Sequence, residues 1–287
     1  MNHNSLPHDI RFVFWGTPFF ARAVLDTLKK QGVLPIALVC SPDKPVGRKQ
    51  LILPSPAEVF AKENNIPFFQ PNVLDDTFQK TLSELGADVF LIAAYARIIP
   101  KEFLSIPPHG TIGIHPSLLP LYRGASPIQS SILSGERMGV SLYCVDEKMD
   151  HGGIIAQKEV AIPEQERQYT HCEEHLAQEG ATLFLDVIQK LFAGTLVPKE
   201  QDHTRATFTQ KFVTEDGRVD LTMDNPLMIF RKIMALSPDP GVYTMQNGKR
   251  VKLLDARLEN DAIVITRIVI EGKKPSEANL ILPLSRL

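Results

Sequence analysis

RFVFWGTPFFARAVLDTLKK, residues 11–30, decides how the rest of the chain is read. Arg11 to Trp15 is a short, mostly apolar run, and Gly16-Thr17-Pro18 follows it with turn chemistry. Proline at the opening of the next segment, then Phe20, Val24, Leu25 and Leu28 on one face, predicts a strand, a tight turn and a helix. LPIALVC (34–40) is almost wholly apolar, as a parallel strand covered on both faces should be. A helix at 56–64, a strand at 67–69, a helix at 75–85 and strands at 89–94 and 111–115 continue the alternation. The repetition predicts an α/β fold built on an open, doubly wound, mostly parallel sheet. Further strands are expected at 138–145 and 153–162, and a helix at about 170–192.

Past that helix the pattern changes. GTLVPKEQDHTRAT (194–207) reads as a linker, and short alternating runs follow it. Asn247-Gly248 among them is a strong hairpin signal, so a small OB-like β-barrel is expected. The expected organisation is a catalytic domain at 1–193, the linker at 194–207 and a β domain at 208–287.

Hydrophobic content of 44%, charged content of 22% and a formal charge of −2 describe an ordinary globular protein and give no bulk signal for a polyanion. Cys40, Cys144 and Cys172 are widely spaced and form no CxxC pair, which fits a reducing compartment. MNHNSLPHDI lacks the basic start and apolar stretch of a signal peptide, and no apolar run approaches the ~18 residues of a membrane span. A cytoplasmic monomer without membrane contact is expected. Neither GxGxxG nor GxxxxGK[ST] occurs, which argues against dinucleotide and nucleoside-triphosphate sites. HCEEH (171–175) reads as a polar helix face, and no metal is expected.

In a doubly wound sheet, ligands bind outside the carboxyl ends of the strands. His115 in TIGIHPSLLPLYRGASPIQ (111–129) stands at such an end, as does Tyr95. A lone histidine there is ordinarily a strand cap. CVDEKMDHGG, however, leaves a neighbouring strand at the same edge, and an imidazole beside a carboxylate can position and tune a proton transfer. Spacing alone does not choose between Asp146 and Asp150. SPDKPVGRKQLILPSP (41–56) is a surface loop long enough to suspect function, and it carries Lys44, Arg48 and Lys49.

H-x-SLLP-x-x-RGA-x-PIQ followed by a strand and MDHGG resembles the folate-dependent formyltransferases. FWGTPFFARAVL, PDKPVGRKQLILPSP and AAYARIIP are similar to that family's opening unit, basic loop and folate-pocket strand. The resemblance implies transfer of a formyl group from 10-formyltetrahydrofolate to a primary amine. His115 and Asp150 match the catalytic pair, which chooses Asp150 over Asp146. Ser117, Leu118, Leu119 and Pro120 would shape the folate site, and Tyr95, Arg97, Ile98 and Ile99 would line the pterin pocket. The basic loop and β-rich tail imply initiator methionyl-tRNA as partner, with Lys44, Arg48 and Lys49 at its acceptor end. Lys211, Arg218, Lys249, Arg250, Lys252, Lys273 and Lys274 could add phosphate contacts.

One position departs from the family. Where the family writes N-x-H, this chain has Gly113-Ile114-His115, so an asparagine that donates to the formyl oxygen is absent. Losing one such donor typically costs on the order of 10²–10³ in rate. A backbone N–H, a water or another side chain would have to serve, and Gly113→Asn should raise turnover if the formyl carbonyl lacks a donor. Two alternatives accompany this expectation: an amino sugar nucleotide as acceptor, and a tRNA- or folate-binding relative weakened by the loss at 113.

Overall fold

The structure is a computed structural model that describes residues 10–43, 45–46 and 51–284. These residues form two compact units. The first comprises residues up to Arg123, Gly139–Val160 and Glu174–Phe208; the second comprises Gly124–Met138, Ala161–Glu173 and Thr209 onward.

The first unit is organised by a seven-stranded sheet. Its strands are β1 (Phe12–Trp15), β2 (Ala37–Val39), β3 (Phe68–Phe69), β4 (Val89–Ala93), β5 (Thr111–His115), β6 (Met138–Cys144) and β7 (Ile154–Val160), in the order β7-β6-β5-β4-β1-β2-β3. β3, β2, β1, β4 and β5 run parallel, whereas β6 is antiparallel to β5. Its helices are α1 (Phe19–Lys30), α2 (Pro56–Glu63), α3 (Asp76–Glu84) and the short α4 (Lys101–Leu104); α5 (Pro127–Ser134) belongs to the second unit, and α6 (Tyr169–Phe192) starts in the second unit and lies mostly in the first.

β1 is fully buried, so both of its faces must be apolar. Val13 and Trp15 join a cluster with Leu82 of α3 and Phe103 and Leu104 of α4. Phe12, on the opposite face, meets Phe184 of α6 with ring centroids 6.0 Å apart. Gly180 permits the close approach of α6 to the sheet, because a Cβ there would lie 2.5 Å from Ile114 Cγ2. Helix starts follow local chemistry: Ser55 accepts from the Glu58 N–H and Asp75 from the Phe78 N–H.

The segment 194–207, read above as a linker, carries a bridge between Ile154 and Lys199 and the buried side chain of Gln201. In the second unit, α7 (Pro226–Leu236) opens with Asn225 capping two backbone N–H groups and Pro226 in the first turn. The sequence reading contained no helix here. α7 packs its buried Ile229, Phe230 and Ile233 against a sheet of β8 (Val242–Gln246), β9 (Lys249–Glu259), β10 (Ala262–Ile270) and β11 (Ser276–Pro283). The sheet is an antiparallel meander in chain order, hinged at Asn247-Gly248 as the hairpin signal predicts. Among the described residues no pairing joins β8 to β11, so the expected barrel is an open four-stranded sheet. No described helix is long and apolar enough to cross a membrane.

Candidate active site

β5 ends at His115, which is buried and faces the loop after β6. Its Nε2 lies 2.9 Å from the Tyr122 carbonyl oxygen. A carbonyl can only accept, so Nε2 carries a proton and Nδ1 is the nitrogen left for chemistry. Nδ1 lies 3.6 Å from Asp150 Oδ1. A proton arriving at Nδ1 would be stabilised by that carboxylate. Asp146, the competing carboxylate, is engaged elsewhere: it lies 2.7 Å from His151 Nδ1 and accepts from the Lys148 N–H.

Asp150 sits at φ +49°, the left-handed region that side chains other than glycine seldom adopt. Its main chain is held from a distance in sequence. Gln201 Nε2 donates to the carbonyls of Asp150 and Gly152 at 2.9 and 2.7 Å. Gln201 Oε1 in turn accepts from Arg123, whose guanidinium also contacts His203 Nδ1 at 2.9 Å. Gln201 and Arg123 are both buried, so this is a polar network inside the unit. The Asp150 side chain also accepts a 2.8 Å hydrogen bond from the Tyr143 hydroxyl.

The 117–120 loop is equally fixed. Ser117 Oγ donates to the Leu121 carbonyl at 2.6 Å. Ser141 Oγ donates to the Ser117 carbonyl at 2.6 Å and accepts from the Leu119 N–H at 3.0 Å. Gln157 donates to the Leu119 carbonyl and to Ser141 Oγ. Leu119 is buried; Leu118 and Pro120 are half-buried.

Tyr95 follows β4, the strand beside β5, and packs edge-on against Trp15 at 5.2 Å. Among the described residues, Tyr95 Oη and Trp15 Nε1 are buried without a hydrogen-bond partner. Burial pushes the Tyr95 phenol above its usual pKa, against the opposing charge of Arg97. The Arg97 guanidinium donates to the carbonyls of Pro71 and Asn72, and so is committed to main chain. Ile99 is buried, whereas Ile98 is 82% exposed. Lys44, Arg48 and Lys49 lie outside the described residues, although Pro45–Val46 and Leu51–Ile52 pair as an antiparallel ladder in the same loop. No group of three or more metal-ligating side chains occurs among the described residues.

Sequence reasoning missed Tyr143, Ser141, Gln157, Arg123 and Gln201. One signal was available for the first of them, because glycine inside a strand marks a close approach. Gly113 pairs with Tyr143 across the β5–β6 ladder, and the tyrosine ring occupies the glycine's vacant side. A Cβ at 113 would lie 2.6 Å from Tyr143 Cζ and 2.9 Å from its hydroxyl oxygen. A side chain at 113 would therefore require the Tyr143 ring to move.

Comparison with known proteins adds lineage to this geometry. Residues 10–188 match the family model described as formyl transferase, and residues 211–274 match formyl transferase, C-terminal domain. The methionyl-tRNA formyltransferase of Chloroflexus aurantiacus is 39% identical over 249 residues, covering 86% of this chain and 80% of that protein. The crystal structure of HypX from Aquifex aeolicus in complex with tetrahydrofolic acid superposes with a TM-score of 0.62 at 18% identity, over 96% of this chain and 46% of that one. A sugar N-formyltransferase from Shewanella sp. gives a TM-score of 0.62 at 18% identity, over 88% of this chain and all of its own. At such identities the two structures establish a shared fold. The two family models, matched in order, and the closeness to the Chloroflexus protein go further: this chain belongs to the formyl transferase family.

Proposed function

We propose that this protein transfers the formyl group of 10-formyltetrahydrofolate to the amino group of methionyl-tRNA. The observation that carries the reading is the buried His115 Nδ1 facing Asp150 Oδ1 at 3.6 Å, in a chain so similar to a protein of that activity. His115 takes a proton from the attacking amine at Nδ1, and Asp150 stabilises the imidazolium. The amine nitrogen forms its bond to the formyl carbon, and the carbonyl electron pair moves onto oxygen. His115 then returns the proton to the departing folate nitrogen as the carbon–nitrogen bond to folate breaks.

The buried Trp15 Nε1 and Tyr95 Oη support the folate assignment. They are two donors without an acceptor among the described residues, beside residues of the expected pterin pocket, and a pteridine carries acceptors. Lys44, Arg48 and Lys49 supply positive charge for the acceptor end of the tRNA. In the second unit, Lys211, Arg218, Lys249, Lys252, Lys273 and Lys274 are exposed, and Arg250 stacks 4.1 Å from the Tyr243 ring centroid. Such groups suit phosphate contacts.

The test is to incubate the protein with 10-formyltetrahydrofolate and charged initiator tRNA and to follow formyl-methionine, with His115→Ala as control. Formylation that the control lacks is the expected result. Formylation of an amino sugar nucleotide in place of the tRNA would overturn the acceptor. Folate binding without any transfer would leave a binding protein.

A further inference from the structure

We propose that Tyr143 is a positioning residue of this active site, its hydroxyl holding the Asp150 carboxylate towards His115 from the space that glycine at 113 leaves open. The inference rests on the function proposed above and deepens it. Directly paired residues of an antiparallel ladder project to the same face, and i and i+2 within a strand also share a face. Gly113 pairs with Tyr143 and His115 with Ser141, so glycine, histidine and tyrosine share one side of the sheet. The tyrosine ring lies over Gly113 and stands edge-on to the His115 ring at 6.4 Å. Its hydroxyl reaches the same Asp150 oxygen that His115 Nδ1 faces, at 2.8 Å against 3.6 Å.

Two features make this more than packing. Tyr143 is buried, and burial together with the nearby Asp150 pushes its pKa well above the ordinary phenol value. The hydroxyl therefore stays a donor throughout the working pH range, and an ionised carboxylate has no proton to give, so the tyrosine is the donor of the pair. Asp150 also occupies a left-handed backbone conformation, which needs outside groups to hold it. Gln201 holds its main chain and Tyr143 its side chain. Glycine at 113 is then the condition for the tyrosine, since any Cβ would displace the ring. The open space at Gly113 and the phenol of Tyr143 thus act as a pair, which brings a hydrogen-bond donor into the site from the neighbouring strand.

The experiment compares Tyr143→Phe, Gly113→Ala and the double variant in steady-state formylation and thermal melting. Tyr143→Phe keeps the ring and removes the donor. It should lower kcat roughly ten- to hundredfold, the range for a hydrogen bond to a charged group, with KM within about twofold. Its melting temperature should stay close to that of the parent. Gly113→Ala should lower kcat similarly by pushing the ring aside, and adding it to Tyr143→Phe should cost little more, because both remove one contact. A Tyr143→Phe enzyme with the parent's kcat, or two losses that multiply, would overturn the proposal. A parent that formylates no amine would instead overturn the function. The positioning contact is then read by NMR as a slowly exchanging Tyr143 hydroxyl proton that Asp150→Ala releases to solvent exchange, and its absence from the parent overturns the contact.

Discussion

Two ends of one sheet edge differ in how their polar atoms are satisfied. Around β5 and β6, His115, Asp150, Tyr143, Gln201 and Ser117 all bond to other parts of the protein. Around β1, β2 and β4, Trp15 and Tyr95 bury donors that meet no described acceptor, and Cys40 buries a thiol. The first arrangement is organised before any substrate arrives, as electrostatic catalysis requires. The second has hydrogen-bonding capacity left over, as a binding pocket does. Under the proposed function, the contrast separates the groups that would handle protons from the groups that would grip a ligand.

The largest test of that division is at the first end. His115→Ala or Asp150→Asn should reduce kcat for formylation by about 10²–10⁴ while leaving folate affinity, measured by fluorescence titration, within a fewfold. A comparable loss of folate affinity in either variant would erase the distinction between the ends. Gln201→Ala comes next. It deprives two carbonyls of their donor and Arg123 of a side-chain acceptor, so unfolding by urea should show a loss of about 1–3 kcal/mol, with a fall in kcat as the Asp150 loop loosens.

At the second end the expected effects are smaller. Burial pushes the Cys40 thiol from 9.0 up to about 12, with Glu58 and Asp43 adding to the effect against a hydrogen bond from Ser55. A folded-state pKa above the unfolded one favours folding below pH 9, and that contribution is lost as pH rises towards 12. Urea unfolding at pH 8 and pH 10.5 should show the decline, and Cys40→Ser should flatten it. Tyr95→Phe removes a donor that no described residue uses, so stability should change by less than about 1 kcal/mol. Its KM for the formyl donor should rise severalfold if the hydroxyl meets the pteridine. A destabilised Tyr95→Phe with unchanged KM would make the second end ordinary core.

Much of this was legible from sequence because it lies in short, local signals. The apolar run ending at Trp15, the turn at Gly16-Thr17-Pro18 and the amphipathic helix after it define the repeating unit of the sheet. His115 stands out because a strand delivers it to the edge where ligands bind. Asp150 needed more: Asp146 has the same chemistry four residues earlier, the resemblance to the family chose between them, and the structure puts one carboxylate on His115 and the other on His151. The helices α5 and α7 went unread, although Pro127 and Pro226 are residues that could have marked their starts. Each is a first-turn proline, behind Ser126 and behind the capping Asn225. Tyr143 looked like any half of an alternating strand, and Gln201 sat in a polar stretch with no periodicity. Their roles arise from pairing across the chain, which a linear pattern does not encode.

The hold of Gln201 on Asp150 also sets an order of events during synthesis. The clamp lies 51 residues downstream of the carbonyl it grips. At about 5–20 residues per second, a ribosome needs roughly 3–10 s after making Asp150 before that partner exists. Through that interval the nascent chain carries His115, Asp150 and every strand of the sheet, but not the side chain that grips the Asp150 main chain.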